Sequence, residues 1–235
     1  MKLVLKNLRK SFEKKEVLKK INFEFEEGKI YGLLGRNGAG KTTLFNCINE
    51  DVEISDGKFY LEDNKKIMKI KLEDIGYVLS IPVMPKFLTG REFLRFFIDI
   101  NKEKIADLKT EDEYFDLVKI KNEDRDKLLK DYSLGMQNKM QMIVNIMSNA
   151  KIFLLDEPLT SLDVVAAEEM KQMLKSIKKN HIIIFSTHIM ELALEMCDEI
   201  VILNNGILEK VDRKDFNDTD FKEEIIKALK EEENV

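Results

Sequence analysis

Eight consecutive residues, Gly35-Arg36-Asn37-Gly38-Ala39-Gly40-Lys41-Thr42, have the types and spacing to hold phosphate. They fit G-x-x-x-x-G-K-[ST] at every constrained position. Successive backbone N–H groups can wrap anionic oxygens only where side chains do not obstruct them, and glycine supplies that freedom. A helix starting at the end of the loop adds its positive end. In such a loop Lys41 reaches the β- and γ-phosphates and the Thr42 hydroxyl binds Mg²⁺. The plain alternative is a glycine-rich turn with no ligand. An apolar strand-like run before it and a helix-like segment after it speak against that.

Two further sites carry chemistry. Asp156 and Glu157 follow the apolar run Ile152–Leu155. In parallel α/β sheets ligands bind at the carboxyl ends of the strands, and carboxylates there need a cationic or polar partner. Mg²⁺ supplies one for Asp156, which leaves Glu157 to orient and deprotonate an attacking water. Either residue alone could cap a turn; together, after a phosphate loop, they point to hydrolysis. His188 follows another apolar run, Ile182–Phe185, where a neutral imidazole can hydrogen-bond a γ-phosphate. His181, at the start of that run, reads as structural. No Asn-Lys-x-Asp follows the loop, which argues against guanine. Upstream, the Phe12 ring can stack on an adenine, although by itself Phe12 reads as ordinary core.

The elements that must position these residues can be read from pattern. Lys2–Leu5 and Ile21–Phe25 read as strands with one wet face. Ile30–Leu34 is a short apolar run, as buried parallel strands are. Thr42–Ile48 starts a helix, Gly57–Leu61 is a further strand, and Ile75–Leu79 another apolar run. From Pro85 to Asn145 the texture is helical. Thr89 and Glu92 form a capping box, followed by Phe93, Phe96, Phe97 and Ile100 at helical spacing. Tyr114, Phe115 and Val118 suggest another helix, and the charges of Lys121–Lys130 a solvated surface. Beyond Lys151 come Ile152–Leu155, a helix over Ala166–Ile177, and Ile182–Phe185. Ile200–Leu203 then turns at Asn204-Asn205-Gly206, a hairpin signal. A tail helix over 216–235 is expected, with Phe221, Ile225 and Leu229 on one stripe.

The chain has 235 residues and a formal net charge of −5. A mildly acidic chain lacks the broad basic field of nucleic-acid binders. Cys47 and Cys197 have no metal-ligand spacing, and with no secretory-type leader they are expected to be reduced, buried thiols. No apolar run approaches the ~20 residues needed to span a bilayer, so action at a membrane requires a separate spanning partner.

Taken in order, these pieces resemble the ABC ATPases over nearly the whole chain, to about Glu209. The family's sequence of motifs is matched by Phe12, Gly35–Thr43, the segment ending at Ser80, Tyr132-Ser133-Leu134-Gly135-Met136, Ile152–Glu157, Ser161-Leu162-Asp163 and His188. The resemblance implies an α/β fold: a phosphate-loop NTPase core with a parallel sheet, an antiparallel β subdomain and an inserted α-helical subdomain. The core is then 1–84 and 146–215, and the insert 85–145. It implies ATP and Mg²⁺ as cofactors, with Arg36, Asn37, Ala39 and Thr43 completing the phosphate loop. It implies a head-to-tail pair of chains, homodimer or heterodimer, in which Ser133, Gly135 and Met136 of one complete the ATP site of the other. Asp163 then lies at that interface. It implies a separate transmembrane permease and a place on the cytoplasmic face of the membrane, with no nucleic-acid partner. The S-L-G-M signature looks like that of a bacterial exporter branch carrying peptides, drugs or lipids. Soluble relatives that act on ribosomes or DNA usually carry two cassettes or long coiled coils, unlike this chain. A weakly hydrolysing regulatory module is the other alternative, and Ser80 is its support. Where the family has a glutamine that helps ligate Mg²⁺, this chain has Ser80, whose shorter hydroxyl acts through water. Ser80 is therefore expected to loosen Mg²⁺ binding and slow basal turnover. Ser80→Gln should then lower the Mg²⁺ concentration giving half-maximal hydrolysis and raise the rate; an unchanged Mg²⁺ dependence and rate would refute this.

Overall fold

A computed structural model describes residues 1–103, 105, 108–159 and 162–211. The expected tail helix, the last residues of the expected core and Ser161 lie outside them. Two long strands open the chain, β1 (Lys2–Phe12) and β2 (Lys15–Glu26). Both are more than twice the length that alternation alone suggests. Bulges explain the difference: the β1–β2 register shifts after Leu5, Leu8 and Lys10, and each shift resets the two-residue period. Asn7 and Lys20 adopt positive φ there. β3 (Ile30–Leu34) is buried at every residue and runs into the phosphate loop and α1 (Lys41–Ile48). β4 (Asp56–Asp63) and β5 (Lys66–Met68) form a hairpin, of which β5, at three residues, is too short to read from sequence. β6 (Ile75–Val78) follows.

The next segment is helical: α2 (Gly90–Asn101), α3 (Glu111–Leu117), α4 (Asn122–Arg125) and α5 (Leu134–Met147). Thr89 and Glu92 form the expected reciprocal cap, with Glu92 N–H donating to Thr89 Oγ1 at 3.1 Å and Thr89 N–H to Glu92 Oε2 at 2.8 Å. The apolar stripe of α2 is displaced from the expected one. Leu94 is fully buried, with Phe93 and Phe97 half-buried beside it, whereas Phe96 and Ile100 face outward. The charged run after Lys121 is also more than a wet surface. Arg125 is buried, its guanidinium paired with Asp112 and Asp116 and its Nε donating to the Ile120 carbonyl.

β7 (Ile152–Asp156), α6 (Val164–Ile177), β8 (Ile182–Thr187), α7 (Met190–Met196), β9 (Glu199–Asn204) and β10 (Ile207–Val211) complete the described chain. β9 and β10 turn through Asn205 and Gly206, both at positive φ, as a tight hairpin requires. A four-stranded antiparallel sheet has the order β2-β1-β4-β5, and a six-stranded sheet the order β10-β9-β3-β8-β7-β6. The latter is parallel from β9 to β6. One core fills the space between the sheets around α1, with Phe25, Tyr31 and Phe45 at its centre; a second lies beneath α6 and α7. A third holds the helical segment together. The fold is thus a phosphate-loop α/β core with an antiparallel sheet and a helical subdomain.

His181 closes the lower edge of this core. Its Nδ1–H donates to the Ala150 carbonyl at 2.7 Å and its ring packs edge-on against Phe153. Burial pulls its pKa below the ordinary 6.5, so the neutral ring is favoured in the fold. Its contribution is complete above about pH 6.5 and is lost as pH falls through the lower folded value. His181→Asn should therefore flatten the fall of stability below pH 6.5, as read from urea unfolding midpoints at pH 7.5 and 5.5.

Candidate functional site

The phosphate loop joins the carboxyl end of β3 to α1. Gly38 and Gly40 hold φ of +84° and +104°. At Gly40 a Cβ would also come within 2.9 Å of Val17 Cγ1 on β2, so the loop is seated against the antiparallel sheet. α1 has no side-chain cap at its start, and its N–H end faces the loop. Lys41 is only 5% exposed. Its Nζ donates to the Gly35 carbonyl at 2.7 Å and the Arg36 carbonyl at 3.2 Å, and lies 3.6 Å from Glu157 Oε1. Burial pulls its pKa below the lysine range, and Glu157 and Asp156 oppose that pull.

Asp156 ends β7, next to β3's neighbour β8 in the sheet. Its two oxygens are divided. Thr42 Oγ1 donates to Oδ2 at 2.7 Å, and Ser186 Oγ donates to Oδ1 at 2.6 Å. Glu157 leaves the strand at φ +48°, a left-handed conformation that costs a non-glycine residue roughly 1–2 kcal/mol. Its N–H donates to Ser186 Oγ at 3.0 Å, and its Oε2 lies 3.0 Å from His188 Nδ1. Ser80 follows β6 and enters the same cleft of about 250 Å³, which Asn37, Gly38, Gly40, Lys41, Thr42, Thr43, Asp156 and Glu157 also line. A hydroxyl and a carboxylate are hard oxygen donors. They fit a cation such as Mg²⁺, which keeps water and phosphate oxygens in most of its shell. Among the described residues no three or more His, Cys, Asp or Glu gather into a metal cage.

Ser133, Gly135, Met136 and Asp163 sit elsewhere, around a second cleft of about 390 Å³ that also has Lys119, Lys121 and Lys139 on its walls. Ser133 caps α5, its Oγ accepting from Met136 N–H at 3.2 Å. Asp163 caps α6, with Oδ1 accepting from the N–H groups of Val165 and Ala166 at 3.0 and 2.9 Å. A Cβ on Gly135 would meet Ala166 Cβ at 3.3 Å, so the two helix starts approach closely. Phe12 lines neither cleft. It ends β1 with 45% of its surface exposed and the Lys10 ammonium 4.5 Å from its ring centre. The reading of Phe12 as ordinary core is therefore wrong: a hairpin end has no layer above it.

Sequence reasoning missed Ser186. It is fully buried, and its single hydroxyl orients the Asp156 carboxylate while holding the backbone of Glu157. The available signal was a polar residue continuing an apolar parallel strand, where burial demands a partner. Ser186→Ala should destabilise the protein by about 1–3 kcal/mol, since two buried groups lose a partner. Ser186→Thr, which keeps the hydroxyl, should restore most of that; urea unfolding of the three proteins checks it.

A family model described as "ABC transporter" matches residues 18–160. An uncharacterized ABC transporter ATP-binding protein of Methanocaldococcus jannaschii is 37% identical, the match covering 87% of this chain and 75% of that protein. Among solved structures, the ATP-binding subunit of an ABC transporter superposes with a TM-score of 0.80 at 22% identity, covering 98% of this chain and all of that one. A dimeric ATP-binding cassette in a post-hydrolysis state, bound to ADP and Pi, superposes with a TM-score of 0.74 at 21% identity, covering 89% and 99%.

Proposed function

The chain belongs to the ABC transporter family of ATP-binding proteins, a family of ATPases, and on that premise we propose that it drives a separate transmembrane permease by hydrolysing ATP as one of a pair. The observation that carries this reading is the junction of Lys41, Thr42, Asp156 and Glu157 at one cleft, with His188 hydrogen-bonded to Glu157. The loop from Gly35 to Thr43 holds the phosphates, with Lys41 turning from the Gly35 and Arg36 carbonyls to the γ-phosphate. The exposed Phe12 ring offers a face to the adenine. Thr42 and Asp156, with Ser80 through water, would hold Mg²⁺, which supplies charge neutralisation at the β- and γ-oxygens. Glu157 accepts the proton of the attacking water. His188, hydrogen-bonded to Glu157, keeps that carboxylate oriented and meets the γ-phosphate. Catalysis is then positioning and charge stabilisation, with little covalent work for the protein.

Two chains meet head to tail, so that Ser133, Gly135 and Met136 of each complete the phosphate site of the other and Asp163 lies between them. The exposed Val164 and Val165 beside Asp163 support a buried role for that surface in the pair. Ile81, Val83 and Phe87 are each more than three-quarters exposed, and Phe96 lies outward on α2. Such a group of apolar side chains supports docking of the permease on the segment from Ser80 to Phe97. Among the described residues no helix is long and apolar enough to cross a membrane, in keeping with a subunit bound at the cytoplasmic face. The S-L-G-M signature favours an exporter of peptide, drug or lipid. Glu157→Gln protein isolated from its native membranes in mild detergent with ATP should carry a polytopic membrane protein with it. Ribosomes or nucleic acid in its place, with the chain absent from membranes, would overturn the assignment.

A further inference from the structure

The two clefts share no lining residue, yet one helix reaches both neighbourhoods. α5 starts at Ser133 in the second cleft. Two turns further on, Gln141 is buried against β6, the edge strand of its sheet, which pairs with β7 on one side only. Leu79 N–H donates to Gln141 Oε1 at 3.3 Å, and Gln141 Nε2 donates to the Leu79 carbonyl at 3.2 Å. A side-chain amide thus pairs with Leu79 as a neighbouring strand would. The second Nε2 hydrogen goes to Asn138 Oδ1 at 3.3 Å, which fixes the orientation of the amide. One turn along α5, Asn145 Nδ2 lies 3.5 Å from the Tyr77 carbonyl. A helical turn rises about 5.4 Å and two strand residues about 6.6 Å, so the two contacts run side by side.

The residue after Leu79 is Ser80, in the phosphate cleft. We infer that Gln141 is a positioning residue that ties Ser80 to α5, so that nucleotide in the phosphate cleft sets the orientation in which α5 offers Ser133 to a second chain. The contact suits this task. It needs both a donor and an acceptor, which an amide carries at any pH, and its two bonds hold backbone, which cannot rotate away as a side chain can. Asn138 and Gln141 are almost fully buried; polar groups on that face of α5 are stable only when paired in this way. The inference rests on the proposed function and adds to it the element that links the two half-sites.

The test uses the full chain in a Glu157→Gln background with ATP and Mg²⁺. Gln141→Met keeps the length and stem of the side chain and removes the pairing. ATP-driven dimerisation, read by sedimentation, should weaken at least tenfold. Affinity of the monomer for a fluorescent ATP analogue should change less than twofold. Gln141→Glu keeps the acceptor and sets a carboxylate against the Leu79 carbonyl. Its dimerisation, relative to the parent at each pH, should recover as pH falls and the carboxyl regains a proton to donate. A general loss of structure would lower the monomer's affinity for the ATP analogue together with dimerisation, so a recovery of dimerisation at constant monomer affinity decides the matter even if Gln141→Met does not fold. If both variants dimerise within twofold of the parent at pH 7.5, the inference is overturned alone. A parent that neither binds ATP nor dimerises overturns the proposed function, and this inference with it.

Discussion

Glu157→Gln is expected to bind ATP with near-parental affinity, release phosphate at least a hundredfold more slowly, and accumulate as an ATP-dependent dimer. The substitution keeps size and shape, and the amide oxygen can still accept from His188. What it removes is a basic oxygen able to take a proton from water. General-base assistance of that kind is worth roughly 10²–10⁴ in rate. It also removes the negative charge 3.6 Å from Lys41 Nζ, which leaves the ammonium more available to phosphate. Single-turnover phosphate release and size-exclusion chromatography with ATP check both parts. Turnover at the parental rate would remove Glu157 from the role of base.

Lys41→Met should fail at an earlier stage, with ATP affinity falling at least tenfold and hydrolysis at least a hundredfold. Lys41 is buried, and its desolvated ammonium has carbonyls and a carboxylate in reach. Hydrogen bonds to a charged group contribute about 1.5–3 kcal/mol each, so the loss of even one to a phosphate gives a factor of roughly ten or more in affinity. Methionine fills the volume, so the fold should survive. Equilibrium binding of a fluorescent ATP analogue beside steady-state hydrolysis separates the two variants. Glu157→Gln binds without turnover, and Lys41→Met loses both.

The residues of the proposed phosphate site were legible because chemistry fixes their order along the chain. A buried strand, a glycine loop and a helix leave one pattern from Ile30 to Ile48, and the structure has that arrangement. The Thr89–Glu92 cap was legible for the same reason, being a local exchange of two hydrogen bonds. What escaped was tertiary. Phe96 and Ile100 continue a helical apolar period, but the core beside α2 receives Leu94, with Phe93 and Phe97 at its margin. Arg125 sits in a run of charges that looks wet, while Asp112 and Asp116 approach from α3 to neutralise it. Ser186 and Gln141 matter through partners 29–30 and 62 residues away, which no local period can encode. β1 and β2 were shortened because bulges break the alternation that identifies a strand.

The order of the six-stranded sheet also governs how the protein is made. β3, which carries the phosphate loop, pairs on one side with β8 and on the other with β9. Both partners lie roughly 150 residues or more further along the chain. At about 5–20 residues per second of synthesis, the strand Ile30–Leu34 waits on the order of ten seconds or longer before either edge is covered. β1, β2 and β4 can meet much sooner, since β1 pairs with both of the others. The nucleotide site is therefore among the last parts of the chain to assemble, and five consecutive apolar-edge residues stay open to wrong pairing until it does. A nascent chain that has made the loop from Gly35 to Thr43 does not yet own a site. It acquires one only when Ile182–Thr187 emerges and joins β3 to β7.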